Sequence, residues 1–568
     1  MASRLFVLLL CLLMAACAKA PPLADLPLSK QDDTLVRTDA GAYVGGISEN
    51  KARTWLGIPY AKPPIGDLRW RATEPLPYQD STRTALQHAN WCPQLTNGLD
   101  GLFGIPKGEL RGNEDCLYLD IYAPSDATSR SNLPVMFWIH GGSNVWGRTA
   151  QYDGSALAQS ENVIVVVVQY RLGPLGWFAH PALEDGIANF ALLDLVQALK
   201  WTRQNIRNFG GDPDAVTLFG ESAGANNVLA LLAMPEADGL YRAAIAQSGL
   251  PMSVPLELST EGMAASITGA VPAAQAFSGL SEPDSVALRQ APLERIFDAY
   301  RTGRTPVVIR DGVTLPDEPL ADAIASHQSG ANLPVIIGSN RDEAKYLLAF
   351  DPQMIKKTFF VFPTPRDSDH YSAVSHYMTG LWRTLGVSEF ADQLLVADTG
   401  PVRTYRFDWD EESRVGPSDL GEMIGAAHSL EIPFVFGNFE NFMGKLDKRL
   451  FTKTNAPGRE VLSQTMMSCW AQFAHGQDPG SVAGEPCPHW PEVTTDAPTQ
   501  TMMFDTPEDG GSRAEIETET TRTLIAQLAT DPVLNDGRRR CELTNRLSRT
   551  FFLLRPELTD ELSLLCTQ

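Results

Sequence analysis

The chain has 568 residues, a formal net charge of −22 and ordinary globular proportions of hydrophobic (43%) and charged (20%) residues. The negative charge opposes binding to nucleic acid or to a bare anionic membrane. The lack of a CxxC pair and of His or Cys runs at ligand spacing argues against a structural zinc site, and the lack of an internal repeat argues against solenoids and propellers.

The first predicted element is an export signal. One basic residue, Arg4, precedes an apolar stretch over residues 5–16. That stretch is too short to span about 30 Å of hydrocarbon and is typical of a secretory signal. Cleavage after Ala20 would follow a small-x-small pattern but would leave Pro21 after the cut. The alternative is a bacterial lipobox ending at Cys17, in which Met stands where Leu is more usual.

We favour the lipobox, because an acyl anchor accounts for a cysteine at the end of the apolar stretch. It predicts a signal peptide over residues 1–16, lipidation of Cys17, and a Pro-rich polar tether over residues 17–34. On either interpretation the protein is exported to the periplasm or the extracellular space. A lipid on Cys17 is the only membrane attachment that we predict.

The remaining cysteines are even in number, which favours disulfides in an oxidising compartment. The sequence leaves their pairing open, and sequential pairing would close three short loops. A short loop closed in this way stabilises the fold by about 3 kcal/mol. The six cysteines are Cys92, Cys116, Cys469, Cys487, Cys541 and Cys566.

The body of the chain, from residue 35 onward, alternates predicted strands and helices. Continuous apolar runs at residues 134–139 and 163–168 are typical of central strands that are covered on both faces. Residues 194–209 carry apolar residues near helical spacing and predict a helix. Further strands are predicted at residues 215–219, 335–337 and 404–407. This alternation predicts an α/β fold with a large, mostly parallel sheet flanked by helices.

Two less periodic stretches, residues 252–330 and 352–400, are rich in Pro, Ser and Ala. We interpret them as helical insertions that roof a pocket over the sheet. No linker between separable domains is visible after residue 35. We therefore predict a single catalytic domain over residues 35–568, which ends in a helical extension.

The segment Gly220-Glu221-Ser222-Ala223-Gly224 has the form GxSxG, which by itself is a weak signal. Its context strengthens it, because it directly follows a predicted strand and directly precedes a helix-compatible stretch, residues 225–233. The tight turn lifts the serine hydroxyl out of the sheet, and the helix points its positive N-terminus at the reaction centre. The alternative is an ordinary glycine-rich turn. We predict that Ser222 is a nucleophile.

A serine nucleophile needs a base, which is most often histidine. The chain order Ser, acid, His of α/β-hydrolases selects a late histidine. His428 is favoured, although it could also be a packed or surface residue. Asp342 and Glu343 follow a predicted strand, and either could orient the imidazole. The other late histidines follow no clear strand end; they are His370, His376, His475 and His489.

The reaction also needs donors for the oxyanion. His140-Gly141-Gly142-Ser143 follows a predicted strand and can supply backbone N–H groups, joined by the N–H of Ala223. His140 would then shape the loop instead of acting as a base. The alternative is a glycine turn that merely connects a strand to a helix.

Together these motifs resemble the type-B carboxylesterase and cholinesterase family of the α/β-hydrolase superfamily. The resemblance extends from about residue 35 to about residue 495, and the runs follow the family's order. Those runs lie at residues 57–69, 113–120, 169–176, 189–194, 208–213, 311–316, 340–343 and 428–437.

The resemblance implies a serine carboxylesterase that works through an acyl-enzyme and needs no metal or organic cofactor. It implies Ser222 as nucleophile, His428 as base and Glu343 as acid, which selects Glu343 over Asp342.

The resemblance also implies supporting residues around this triad. The oxyanion donors become the N–H groups of Gly142, Ser143 and Ala223. Glu221 matches an acidic neighbour of the nucleophile, and Ser248 matches a buried serine that supports the acid. Cys92 and Cys116 match the family's first disulfide.

Two departures from the family pattern bear on the substrate. Ser143 stands where many relatives have a third glycine, so its side chain must turn away from the acyl pocket. Pro106 stands where cholinesterases have a tryptophan for quaternary ammonium, so choline esters are disfavoured. Tyr346, Trp177 and Phe350 indicate a small apolar ester, although aromatic residues are more often core packing.

Two other functions remain open on the sequence. A non-catalytic adhesion protein of the same fold would have lost its nucleophile or base, whereas both are present here. An amidase or a thioesterase would use the same triad. The particular ester and the oligomeric state are not predicted.

Overall fold

The computed structural model describes residues 29–566, apart from residues 184, 264–265, 328–331, 360–361, 477, 485 and 496–498. The predicted signal peptide and the lipidation site Cys17 lie outside these residues.

Runs of β-branched and aromatic residues form the strands. Within the described residues they are β1 Ser29–Thr38, β2 Gly41–Ile47, β3 Arg53–Pro59, β4 Thr82–Thr84, β5 Gln94–Leu95, β6 Leu110–Arg111, β7 Tyr118–Ala123, β8 Leu133–Ile139, β9 Ile164–Val168, β10 Gly211–Glu221, β11 Ala243–Gln247, β12 Val254–Pro255, β13 Ile309–Arg310, β14 Val335–Asn340, β15 Ile355–Thr358, β16 Phe362–Pro365, β17 Val402–Phe407, β18 Arg414–Val415, β19 Ser418–Asp419, β20 Gln500–Phe504 and β21 Arg513–Ile516.

One large sheet runs through the described chain in the order β1-β2-β3-β7-β9-β8-β10-β11-β14-β17-β20-β21, with β4 beside β2. The strands from β9 to β20 pair in parallel, and antiparallel strands flank them on both sides. β8 and β9 are buried along their whole length, as parallel strands covered by helices should be. The predicted sheet is confirmed.

The helices cover both faces of this sheet. They are α1 Ser155–Glu161, α2 Gly173–Gly176, α3 Phe190–Asn205, α4 Ala223–Leu232, α5 Leu256–Glu261, α6 Ala270–Ser278, α7 Ser285–Arg289, α8 Leu293–Ala299, α9 Leu320–Ser326, α10 Lys345–Leu348, α11 Ser368–Arg383, α12 Glu389–Val396, α13 Leu420–Met423, α14 Ile432–Phe436, α15 Asp447–Leu450, α16 Ala456–Ala474, α17 Thr521–Thr530, α18 Gly537–Phe551 and α19 Glu557–Cys566.

Alternating residues of β8 show how the two faces are covered. Phe137 belongs to the apolar cluster that includes the α3 residue Leu199. Its neighbour Trp138 belongs to the cluster on the opposite face, which includes the α16 residue Trp470. Because successive strand residues point to opposite faces, every position of such a strand must be apolar.

The predicted insertions are helical, as expected. Residues 252–330 contain α5 to α9, and residues 352–400 contain a β-hairpin, α11, a π-helical segment Thr384–Ser388 and α12. The C-terminal extension consists of α17 to α19, which follow the edge strands β20 and β21. No helix among the described residues is both long and apolar enough to cross a membrane.

Several predicted boundaries need correction. The tether predicted over residues 17–34 ends earlier, because β1 begins at Ser29 and pairs there with Ile47. The start of β1 is polar, and edge pairing through the backbone leaves no apolar pattern to recognise. The helix predicted at 194–209 begins at Phe190 and becomes a 3-10 helix after Asn205.

The six cysteines among the described residues pair sequentially. The structure joins Cys92 to Cys116, the pair that the resemblance implies. The other two disulfides, whose pairing the sequence left open, are Cys469–Cys487 and Cys541–Cys566. The last of these ties α18 to α19 at the end of the chain.

Candidate active site

Ser222 lies at a sharp turn between β10 and α4. Its backbone has φ 56° and ψ −122°, a left-handed conformation that is costly for a residue with a side chain. Its N–H donates to Gln247 O at the end of β11. Such a strained strand-turn-helix connection is the setting in which a GxSxG serine acts as a nucleophile.

The two glycines of the motif are required by close approach of the backbone. A Cβ at Gly224 would lie 2.0 Å from Ile139 O, and a Cβ at Gly220 would lie 2.7 Å from the same oxygen. The end of β8 therefore packs directly against the turn that carries Ser222. This packing places the loop that follows β8 beside the serine.

His428 lies beside this turn, in the loop before α14. Its Nδ1 is 2.5 Å from Glu343 Oε2, and Glu343 Oε1 accepts the N–H of Asn340 at 2.7 Å. Glu343 is only 1% exposed. A buried carboxylate bound to Nδ1 fixes the orientation of the imidazole and stabilises its charged form.

The second imidazole nitrogen faces the residue before the serine. His428 Nε2 is 3.1 Å from Glu221 Oε1, which also accepts the hydroxyl of Ser429 at 2.6 Å. In the described chain, the hydroxyl of Ser222 makes no hydrogen bond. The structure thus brings Ser222, His428 and Glu343 to one place, with Glu221 as the present contact of Nε2.

Asp342, the other carboxylate that the sequence left open as the acid, does not contact His428. It pairs with Lys345 at 3.1 Å and with Arg341 at 3.0 Å, and it accepts the N–H of Ala426. These partners occupy both of its oxygens.

A third glutamate, Glu431, lies behind the imidazole. It accepts hydrogen bonds from Asn340 Nδ2 at 2.6 Å and from Gln247 Nε2 at 3.1 Å, and it is fully buried. Sequence reasoning missed this residue, although it lies three residues after His428. Nothing distinguishes its carboxylate from a solvated one until the fold buries it.

The buried carboxylates determine the electrostatics of the site. Burial lowers the pKa of His428, but the charges of Glu221, Glu343 and Glu431 outweigh that effect and raise the pKa to about 10. Burial raises the pKa of Glu221, opposed by His428 and Ser429. Burial, together with the charge of Glu221, also raises the pKa of Glu431 to about 8.

The loop after β8 provides backbone N–H groups near the serine. Gly142, Ser143 and Asn144 have φ values of 101°, 54° and 59°, so three successive residues are left-handed. The N–H groups of Gly142, Ser143 and Ala223 donate to no other residue in the described chain. They are available for an anionic oxygen beside Ser222.

His140 is fully buried and stacks on Tyr170 with ring centroids 4.5 Å apart. Burial lowers the pKa of His140 to about 4, and the nearby charge of Arg148 adds to this, against a hydrogen bond to Gly141 O. It is therefore neutral at neutral pH and held within the loop.

Ser248 lies at the end of β11 and is fully buried. Its N–H donates to Gly338 O at 2.8 Å, while its hydroxyl has no partner among the described residues. Support of the acid by Ser248 therefore stays a prediction.

Two aromatic rings flank the imidazole. The rings of Trp382, on α11, and Tyr346, on α10, lie 5.1 and 5.9 Å from that of His428. Phe350, 6.2 Å from Tyr346, is 56% exposed. Trp177, by contrast, is fully buried against Tyr170 and belongs to the core. Trp382 was not predicted as a site residue, because its ring reaches the site only through the fold of the second insertion.

The sheet, the strained serine turn and the imidazole bound to a buried glutamate define an enzyme of the α/β-hydrolase class. The carboxylesterase family matches residues 32–361 and 353–523, so the chain belongs to this family.

Known relatives are consistent with that assignment. A para-nitrobenzyl esterase of Bacillus subtilis (strain 168) is 34% identical over 506 residues, which cover 83% of this chain and 94% of the relative. A cocaine esterase of Homo sapiens is 33% identical, with coverage of 80% and 85%. The solved structure of a PNB esterase has a TM-score of 0.68 at 31% identity and covers 86% of this chain and 99% of its own. The protein is a serine carboxylic-ester hydrolase.

Proposed function

We propose that the enzyme hydrolyses small apolar esters by transferring the acyl group to Ser222, with His428 as base and Glu343 as the residue that orients it. The observation that most supports these roles is the contact of His428 Nδ1 with the buried Glu343, beside the strained turn that carries Ser222.

In the first half of the reaction, His428 Nε2 takes the proton of Ser222 Oγ while that oxygen attacks the ester carbonyl. The carbonyl oxygen becomes an oxyanion and accepts hydrogen bonds from the N–H groups of Gly142, Ser143 and Ala223. The tetrahedral intermediate collapses, and His428 gives its proton to the departing alcohol.

In the second half, His428 takes a proton from water, and the resulting hydroxide attacks the acyl carbonyl. Collapse of this second intermediate returns the proton to Ser222 Oγ and releases the carboxylic acid. Before each attack, Nε2 must exchange its contact with Glu221 for one with the attacking oxygen. Catalytic hydrogen bonds often form only when the substrate is bound.

The rings beside His428 support an apolar substrate. Trp382 and Tyr346 offer aromatic faces next to the reacting atoms, and Leu347, 53% exposed, lies on the same short helix as Tyr346. Burial of an apolar acyl or alcohol group against such surfaces is favourable.

We also propose that the protein is exported and carries a lipid on Cys17. The lipobox pattern and the three disulfides support this, because disulfides persist in oxidising compartments. Mass spectrometry of the mature N-terminus tests the proposal. A start at an acylated Cys17 supports it, and an unmodified start downstream of Cys17 contradicts it.

Substitution of the triad tests the proposed mechanism. Ser222→Ala should lower turnover of a p-nitrophenyl ester by on the order of 10⁶, and His428→Ala by a similar factor. Ser259→Ala is the control, because Ser259 is also buried but lies in α5, where its hydroxyl donates to the carbonyl oxygen of Pro255. Near-normal hydrolysis by Ser222→Ala would overturn the mechanism.

A further inference from the structure

The proposed oxyanion donors come from two separate segments of the chain. Gly142 and Ser143 belong to the loop after β8, whereas Ala223 is the first residue of α4. One anionic oxygen can bond to all of them only if the two segments keep a fixed separation. Such donors act by being placed before the charge develops.

Directly behind these donors, two asparagine side chains join the segments. Asn144 Nδ2 donates to Asn227 Oδ1 at 3.1 Å, and Asn227 Nδ2 donates to Asn144 Oδ1 at 2.8 Å. Both residues are fully buried, and 83 residues separate them in the chain. The two amides therefore form a reciprocal pair of hydrogen bonds.

We infer that Asn144 and Asn227 are positioning residues that hold the two halves of the oxyanion hole at their working distance. This inference rests on the proposed function and adds a pair of residues that neither touch the substrate nor exchange protons with it.

The connection from each asparagine to its donor is short and stiff. Asn144 directly follows Ser143, so one peptide unit links the amide pair to a donor. Asn227 lies four residues after Ala223, one turn along α4 and on the same side of the helix. A shift of either side chain therefore moves a donor directly.

Asn144 is itself fixed on every side. Its carbonyl oxygen accepts the N–H of Gly173 at 2.7 Å, and its Oδ1 also lies 3.2 Å from Tyr170 Oη, which donates to His140 O at 2.6 Å. Its left-handed φ of 59° is one that asparagine adopts more readily than most residues. These contacts hold the loop at both ends of its glycine segment.

Truncation of the pair should affect the transition state more than the bound substrate. In Asn227→Ala or Asn144→Gly the donors remain, but the distance between them is no longer fixed. We expect kcat to fall about 10- to 100-fold, with KM changed less than about twofold. The affinity for a trifluoromethyl ketone, which forms an oxyanion on the serine, should fall by the same factor as kcat/KM.

The double variant tests whether the two residues act as one unit. If they do, Asn144→Gly with Asn227→Ala should be no slower than the slower single variant, because the interaction is already lost. Asn205→Ala is the control: Asn205 is a buried asparagine at the end of α3 that accepts the N–H of Asp39. It should lower the melting temperature and leave kcat unchanged.

Asn227→Leu serves as a second variant should Asn227→Ala fail to fold, since leucine has nearly the shape of asparagine, fills the same space and makes no hydrogen bond to Asn144. A normal kcat and normal ketone affinity in the folded variants would overturn the inference, and so would losses that multiply in the double variant. If Ser222→Ala were to keep esterase activity, the proposed function itself would fail, which is a separate result.

Discussion

Glu221 carries the charge that raises the pKa of the proposed base, His428, the most. Its carboxylate lies 3.1 Å from His428 Nε2 and helps to raise the pKa of the imidazole. In Glu221→Gln this negative charge is lost, so the pKa of His428 should fall and the neutral, basic form should persist at lower pH.

The measurement is the pH profile of kcat/KM. We expect the acidic limb of Glu221→Gln to move to lower pH by about one pH unit or more. Glu236→Gln, at an exposed position, should leave the limb in place. If the acidic limb of Glu221→Gln were unchanged, or moved to higher pH, the Glu221 carboxylate would not be raising the pKa of His428.

Glu343 and Asp342 are adjacent carboxylates with different surroundings, so they form a matched pair for mutation. Glu343→Gln removes the charge bound to His428 Nδ1 and should lower kcat by about 10³–10⁴-fold. Asp342→Asn removes the charge that pairs with Lys345 and Arg341, keeps an oxygen that can accept the N–H of Ala426, and should keep kcat within about tenfold. Equal losses in the two variants would contradict the assignment of the acid.

The choice between Glu343 and Asp342 could not be made from the residue pattern alone. Both carboxylates follow β14, and a strand followed by two acidic residues does not say which one turns inward. The turn after Asn340, where Glu343 accepts that residue's N–H, makes the choice. Resemblance to a family selected Glu343 before any geometry was known.

At the scale of elements, the serine turn depends on the space beside its last glycine. A methyl group at Gly224 would lie 2.0 Å from Ile139 O, a backbone atom that cannot move without moving β8. Gly224→Ala should therefore displace the turn from the oxyanion loop, lower stability by about 1–3 kcal/mol or more and reduce kcat.

Thermal unfolding and steady-state kinetics measure this effect. Gly537→Ala is the control, because a Cβ at Gly537, in α18, meets no atom within 4 Å. Gly224→Ala with the melting temperature and kcat of the wild type would mean that the close contact between β8 and the turn does not constrain the site.

The elements themselves were largely predictable. The strands β8 and β9 are continuous apolar runs, and a strand covered on both faces admits little else. The nucleophile turn carries its own signature in two glycines around a serine. The start of β1 at Ser29 was not predictable, because its first residues, Ser29 and Lys30, are polar and pair with β2 through the backbone, which requires no apolar pattern.

Across the molecule, contacts between side chains that are distant in the sequence could not be predicted. Asn144 and Asn227 look like ordinary polar residues, and only the approach of β8 to α4 buries them against each other. Trp382 likewise reaches His428 only because the insertion folds back over the sheet.

A buried acid outside the proposed triad makes stability depend on pH. Glu412 is 7% exposed, and neither of its oxygens has a hydrogen-bond partner among the described residues. Burial raises its pKa well above the usual value, and Asp410 adds to this while Lys345 opposes it. The folded state therefore holds a proton that the unfolded state releases above about pH 4.5, so this group lowers stability as the pH rises.

Glu412→Gln keeps the shape of the side chain and removes the titration. We expect it to be more stable than the wild type at pH 8, by on the order of 1–3 kcal/mol, with a difference that shrinks towards pH 5. Glu422→Gln, at an exposed position, is the control. A constant difference between pH 5 and pH 8, or a less stable Glu412→Gln at pH 8, would contradict this reasoning.

In the proposed mechanism every acyl group passes through Ser222 Oγ, so the acyl-enzyme can be trapped and its site identified. Acid quenching within milliseconds of mixing with a p-nitrophenyl ester, followed by peptide mass spectrometry, should find the acyl group on Ser222. The same treatment of Ser222→Ala should find no acylated peptide. Acylation of another residue that persists in Ser222→Ala, together with continued turnover by that variant, would contradict this mechanism.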